Sequence, residues 1–226
     1  MGYVIVTVRN LLWMLFSLTA VMALIAAIIS PNWNNAPDNF YGSPYKKSPT
    51  IGLYTRCSRQ VLSLNKTRWS CRRYVHNLNE LPSNFWKASL VFIVFGSAIS
   101  AICVFMALLA FCVQKIGKKP LIALVGVIQA IAGLFLLVGL VLWPAGWDKN
   151  NEIFVTYCYG GKIEDDNEPS AFKLGGCSLG WAFYSALAGT VLVFLCAIFS
   201  GQAEKSTSSD KVQDEIWKGK KVICLP

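Results

Sequence analysis

Four cysteines carry the clearest chemistry in this chain. Cys57 and Cys71 share one polar stretch, and Cys158 and Cys177 share another. An even count, paired within polar stretches on one face, is the usage of an oxidising compartment, and the chemistry is disulfide formation. A Cys57–Cys71 bond would close a ring of about 15 residues and stabilise by about 3 kcal/mol in the chain-entropy account. Inside that ring Asn65-Lys66-Thr67 is an N-x-[ST] acceptor, which makes Asn65 the candidate glycosylation site. The same stretch is basic, with Arg56, Arg59, Arg68, Arg72 and Arg73. These form a candidate docking patch for an acidic ectodomain, a lipid headgroup or a sulfated glycan. The plainer reading is a solvated, soluble surface.

Catalytic chemistry has little to build on. His76 is the only histidine, so no histidine-based triad or metal site can be assembled. Cys103 and Cys112 are spaced too widely for the C-x-x-C of a thiol oxidoreductase. No catalytic residue, metal ligand set or cofactor is expected. Cys103, Cys112 and Cys196 read as small hydrophobes. Cys224 lies near Lys218, Lys220 and Lys221 and is a candidate for palmitoylation or leaflet association.

The elements that must position these residues are membrane spans. The chain has 226 residues, 54% hydrophobic and only 15% charged. A hydrocarbon core of about 30 Å takes about 20 helical residues. Four blocks are long enough, at 11–30, 87–113, 121–143 and 179–200. The first exceeds a signal h-region and lacks a clean cleavage site, so it reads as a retained helix. Small residues recur four apart, at Ala23/Ala27, Gly96/Ser100, Gly126/Ala130 and Ser185/Gly189, which lets helices approach closely. Gln129, the most polar residue in mid-span, reads as an interhelical hydrogen bond rather than a pore lining. Apart from Lys87 at the edge of the second, the last three spans carry no Asp, Glu, Lys, Arg or His, which argues against an ion path.

Four spans put residues 1–10, the 114–120 loop and the 201–226 tail on one side. The long loops 31–86 and 144–178 lie on the other. Counting Lys and Arg does not orient the chain by itself, although the tight Lys115/Lys118/Lys119 hairpin favours cytoplasmic termini by the positive-inside bias. The sequon and the paired cysteines then put both long loops outside, where the basic stretch meets no nucleic acid. Trp33, Trp86, Trp143 and Trp181 fall at the outer helix ends, as an interfacial aromatic belt would. Segments 51–57 and 67–75 read as strands around a turn at 62–66, and 153–158 as a third strand. Asn77–Phe85 reads as a short polar helix or turn, and Glu164–Glu168 as a solvated acidic turn. The first loop has eight basic and two acidic residues, the second three basic and six acidic, so the two attract. In the tail, Asp210 reads as the N-cap of a helix over Lys211–Trp217.

Trp33, then Gly52-Leu53-Tyr54, Cys57 and Cys71, resemble the W…G-L-W…C…C signature of the claudin/PMP-like tetraspans, with Tyr54 in place of Trp. Trp143-Pro-Ala-Gly146-Trp147, Tyr157-Cys158, Cys177-Ser-Leu-Gly180-Trp181-Ala-Phe-Tyr184, Gln202-Ala-Glu204 and Ser208–Gln213 are more specific. They resemble the LHFP-like (lipoma HMGIC fusion partner-like) tetraspan family. The Ile223-Cys-Leu225 ending is similar to its subfamily member 2 branch.

The resemblance implies a membrane all-α, left-handed four-helix bundle with a small extracellular antiparallel β-sheet, held by the two loop disulfides. It also implies an auxiliary role. Such proteins assemble in cis with larger membrane proteins, among them mechanotransduction channels, receptors and adhesion proteins, in developmental or sensory settings. A self-associating adhesion or barrier component is the alternative, with Tyr54 and the Cys57–Cys71 spacing departing from the sealing claudins. A small-solute pore is a third reading. The protein is expected to contact membrane lipids, in the plasma membrane or an endomembrane. Glycosidase treatment is expected to raise its gel mobility, and Asn65→Gln to abolish that shift.

Overall fold

The computed structural model describes residues 4–37, 48–63, 66–74, 81, 83–111, 115–116, 119–161, 168–219 and 222–225. In chain order it begins with strand β1 (Val4–Thr7), helix α1 (Val8–Ile29), and strands β2 (Asn34–Asn35), β3 (Thr50–Ile51), β4 (Thr55–Ser63) and β5 (Lys66–Arg73). Helix α2 (Asn84–Leu109), strands β6 (Lys115–Ile116) and β7 (Lys119–Pro120), and helices α3 (Leu121–Ala145) and α4 (Glu152–Cys158) follow. Strand β8 (Ser178–Leu179), helices α5 (Trp181–Thr207) and α6 (Asp210–Trp217), and strand β9 (Val222–Leu225) complete it.

Helices α1, α2, α3 and α5 have 22, 26, 25 and 27 residues and are apolar enough to cross a membrane. At 1.5 Å per residue they run about 33 to 40 Å, longer than a hydrocarbon core. With a five-stranded antiparallel sheet and two two-stranded pairings, β1 with β9 and β6 with β7, beside these helices, this is a four-span, claudin-like membrane protein. Helix α5 continues past the apolar block through Gln202, Glu204 and Lys205, good helix formers whose backbone has no reason to stop at the lipid boundary.

Two compact units divide the chain, and the division falls inside each long helix. The terminal unit comprises Met1–Leu24, Phe95–Leu136 and Ala188–Pro226. Its core holds Trp13, Cys103, Ala107, Leu121, Val125 and Cys196. A polar knot crosses that core. The Trp13 indole donates to the Cys196 carbonyl at 3.0 Å and to Gln129 Oε1 at 3.3 Å. Gln129 Nε2 donates to Ser17 Oγ at 2.9 Å, and Ser17 donates to the Trp13 carbonyl at 2.9 Å. Gln129 therefore locks α1, α3 and α5 together, where an unpaired amide in hydrocarbon would cost several kcal/mol.

The small residues do their expected steric work in this unit. A Cβ on Gly96 would meet Leu136, and one on Gly189 would meet Leu24. A further feature of the unit has no apolar-block signature. β1 and β9 pair in parallel, Val4 opposite Val222 through Thr7 opposite Leu225. Ile5, Val212 and Ile223 form a small cluster, with Ile216 against it. Helix α6 starts at Asp210 with Ser209 as its cap residue, one position earlier than the sequence suggests.

The loop unit comprises Ile25–Val94 and Leu137–Leu187. Its sheet has the strand order β5-β4-β3-β2-β8, with all pairs antiparallel. Segment 153–158 is helical, which corrects the strand reading. Asn151 Oδ1 accepts from the Phe154 backbone N–H at 3.0 Å, and the cap turns Phe154, Val155, Tyr157 and Cys158 inward. That is a helical spacing, which outweighs the β-branched and aromatic composition. The turn at 64–65, residues 75–80 and 162–167, and hence Asn65, His76 and most of the acidic turn, lie outside the described residues.

Three of the four proposed belt tryptophans are instead core. Trp33, Trp86 and Trp143 are fully buried, and only Trp181, at 51% exposure, faces outward. Trp143 meets Trp86 at 4.4 Å and Trp33 at 5.3 Å between ring centroids. Edge-on and tilted packing of this kind adds about 0.5–1.5 kcal/mol per pair beyond area burial. Trp33 donates to the Ala27 carbonyl at 2.7 Å and Trp143 to Asn34 Oδ1 at 2.9 Å, so both indoles are satisfied.

Two glycines allow the close approaches around this cluster. A Cβ on Gly52 would lie 2.7 Å from Pro31 Cα, and one on Gly180 would clash with the Asn32 carbonyl. A Cβ on Gly201, by contrast, would meet nothing within 4 Å. Gly180→Ala should therefore destabilise by at least about 1–3 kcal/mol. Gly201→Ala should be neutral or stabilise by about 0.5–1 kcal/mol. Thermal melts of the two purified variants in one detergent compare them directly.

Candidate functional site

Successive side chains of a strand point to opposite faces, so register decides which residues share a surface. Ser178, Asn35, Thr50, Cys57 and Cys71 stand directly opposite one another across β8, β2, β3, β4 and β5. They form one row across the whole sheet. The next row is Leu179, Asn34, Ile51, Arg56 and Arg72, on the opposite face. Asn34 and Ile51 in that second row are fully buried, and Asn34 receives the Trp143 indole. At β2 and β3 this face packs on the tryptophan core, while Arg72 at the β5 end of the row is exposed.

The other face is open. Its row of five is the floor of a cleft of about 560 Å³, walled by Pro31, Pro37 and Trp69. Cys57 and Cys71 are bonded across the floor, and Cys158 and Cys177 are bonded elsewhere in the same unit.

The five arginines do not make one patch. Arg59 is opposite Trp69, and Arg73 is opposite Thr55, which puts Arg59 and Arg73 on the cleft face with the Cys57–Cys71 bond. Arg56 opposes Arg72 and Gln60 opposes Arg68, on the core-side face. Arg56 there lies over the Tyr157 ring at 5.8 Å, a cation–π contact joining the two loops. The expected attraction between a basic and an acidic loop falls largely on Glu164, Asp165 and Asp166, which lie outside the described residues. Lys149–Glu168 lies within the second loop at 3.0 Å, exposed on both sides and worth little.

The signature residues serve the core face. Leu53 is fully buried beside Gly52, and the Tyr54 carbonyl accepts from the Tyr74 N–H at 3.2 Å. Tyr74 Oη donates to the Gly52 carbonyl at 2.9 Å, which pins the whole Gly52–Tyr54 turn. Burial pushes the Tyr74 phenol well above its ordinary value, so it stays a neutral donor. The Gly146 carbonyl accepts from Asn151 Nδ2 at 2.9 Å, and Trp147 stacks on Phe154 at 5.2 Å. Trp181 opens α5 just after Gly180. Cys224 lies in β9, opposite Val6.

Asn34 and Asn151 were missed by sequence reasoning. Asn151-Glu152 before an apolar run is a helix-start signal that could have found the second. Nothing local marks Asn34, whose role depends on Trp143 from another element. Among the described residues, no three histidine, cysteine or carboxylate side chains come together as a metal site would require.

The family model for lipoma HMGIC fusion partner-like protein matches residues 9–202. The chain belongs to this family. It is 43% identical over 237 aligned residues to LHFPL tetraspan subfamily member 2a protein of Danio rerio, covering 100% of both chains. It is 42% identical over 236 residues to LHFPL tetraspan subfamily member 2 protein of Homo sapiens, again over 100% of both. Identity to LHFPL tetraspan subfamily member 4 protein of Mus musculus is 24%, over 92% of this chain and 76% of that one. The contrast agrees with the subfamily member 2 branch. As a member of the LHFP-like family, the chain is a multi-pass membrane protein in contact with lipid.

Removing the floor disulfide should cost the loop unit its tie. Cys57→Ser with Cys71→Ser is expected to lower stability by about 3 kcal/mol. Thermal melts under non-reducing conditions measure it, and added reductant should bring the parent protein toward the variant.

Proposed function

We propose that this chain is a non-enzymatic auxiliary subunit that packs in cis against a larger membrane protein, a channel, receptor or adhesion protein, and supports its assembly, trafficking or gating. The observation that carries this reading is the two-faced sheet. One face buries Asn34 and Ile51 against the tryptophans, and the other carries a disulfide-floored cleft with Trp69 in its wall and, by strand register, Arg59 and Arg73 on the same face. Aromatic and arginine side chains over a rigid floor are the composition of energetic contact centres between proteins. The disulfides support the orientation with both long loops outside and both termini cytoplasmic, since such bonds persist where the medium oxidises. In that orientation an Asn65 glycan would be extracellular, and Cys224 would be on the cytoplasmic side, where acylation takes place.

The adhesion reading draws on a different observation. β5 ends the strand order of the sheet, and an edge strand is a template for pairing with a second copy.

Purification in mild detergent with mass-spectrometric identification separates the two. A stoichiometric heterologous membrane protein supports the auxiliary role, and homo-oligomers alone support adhesion. With a partner in hand, Arg59→Glu/Arg73→Glu should weaken its capture at least about tenfold. Arg68→Glu/Arg72→Glu should change it little. Equal losses for the two pairs would show that the cleft is not the docking surface.

A further inference from the structure

A second concavity lies in the terminal unit, away from the sheet. Its volume is about 270 Å³, and its lining includes Arg9, Leu12 and Phe16 of α1 with Phe199 and Gln202 of α5. Phe16 and Phe199 are 44% and 41% exposed, so the groove opens on the outside of two membrane-spanning helices. The apolar side chains make its walls. Arg9, the second residue of α1, and Gln202, near the end of α5, both border it.

Arg9 is exposed, and among the described residues no carboxylate pairs with it; the two ion pairs there are Lys149–Glu168 and Lys218–Glu215. An arginine at a span end keeps its guanidinium at headgroup level while its stem lies along apolar surface. An apolar groove beneath an unneutralised guanidinium, with an amide donor beside it, matches one chemistry closely. A phosphodiester takes the guanidinium and the amide, and a hydrocarbon chain takes the walls.

We propose that this groove is a binding site for a single anionic phospholipid, its headgroup phosphate held by Arg9 and Gln202 and one acyl chain lying along Leu12, Phe16 and Phe199. The site is independent of the sheet cleft and of any protein partner. It uses the charge of the lipid, so a zwitterionic lipid of the same chain composition binds less well. The arginine–phosphate pair is favourable with either lipid, but only the anionic headgroup leaves that charge uncancelled.

The full-length chain, released from nanodiscs of equal phosphatidylglycerol and phosphatidylcholine with matched acyl chains, can be examined by native mass spectrometry. The parent protein should retain one phosphatidylglycerol in preference to phosphatidylcholine. Arg9→Gln should reduce that preference about tenfold, with an unchanged thermal midpoint because the side chain is exposed. Lys205→Gln removes a nearby basic charge from α5 outside the groove and should leave the preference intact. Retained preference in Arg9→Gln overturns the proposal, as does an equal loss in Lys205→Gln, which would signal general electrostatic attraction. Leu12→Trp fills the groove and should lower retention of both lipids. Unaltered retention there overturns the acyl-chain placement.

Discussion

A buried indole N–H is costly to leave without an acceptor, and in the loop unit the acceptor for Trp143 is Asn34. That single side chain sits on a two-residue strand held on both sides, by β3 and by β8. The neighbouring Trp33 is bonded to the Ala27 carbonyl of α1. One dipeptide therefore ties a transmembrane helix, another helix's C-terminal region and the middle of the sheet. A hydrogen bond of this sort contributes only about 0.5–1.5 kcal/mol net. Losing the acceptor while the indole stays buried costs about 1–3 kcal/mol, and that asymmetry is what makes the contact restrictive.

Burial of Asn34 and Ile51 against the tryptophans leaves the cleft on the opposite face of the sheet. The strand period of two then sorts the arginines, sending Arg59 and Arg73 to the open side and Arg56, Arg68 and Arg72 to the other. A net charge counted over the loop hides this division. Arg56 is absorbed in the fold by its position over Tyr157, whereas Arg59 and Arg73 share a face with Trp69 and the disulfide. The charge each face carries is set by register and not by the total over the loop.

The terminal unit solves a different problem, the placement of polar groups in an apolar medium. Trp13 and Ser17 of α1 and Gln129 of α3 satisfy one another, and the Trp13 indole also reaches the Cys196 carbonyl of α5, which makes the most polar mid-span residue part of a structural lock. At the unit's polar end the two termini of the chain pair as strands, and α6 uses Val212 to cover them. Neither strand has a partner nearby in sequence. Only a chain whose first and last spans end on the same side can bring them together.

The sequence by itself determined the four spans and the family, because a run of some twenty apolar residues has few stable alternatives to a membrane helix. The grouping of the cysteines into two loops was equally plain from position alone. Segment 153–158 was read as a strand because its composition favours one, and the Asn151 cap with inward burial of Phe154 and Cys158 made it a helix. Trp33, Trp86 and Trp143 have the position of belt residues and became core. Their destination depended on rings brought together from three separate parts of the chain. The split of the arginines and the pairing of β1 with β9 were likewise decided by tertiary structure. Hydrophobicity and length act locally and can be read along the chain, whereas register and facing depend on partners distant in sequence.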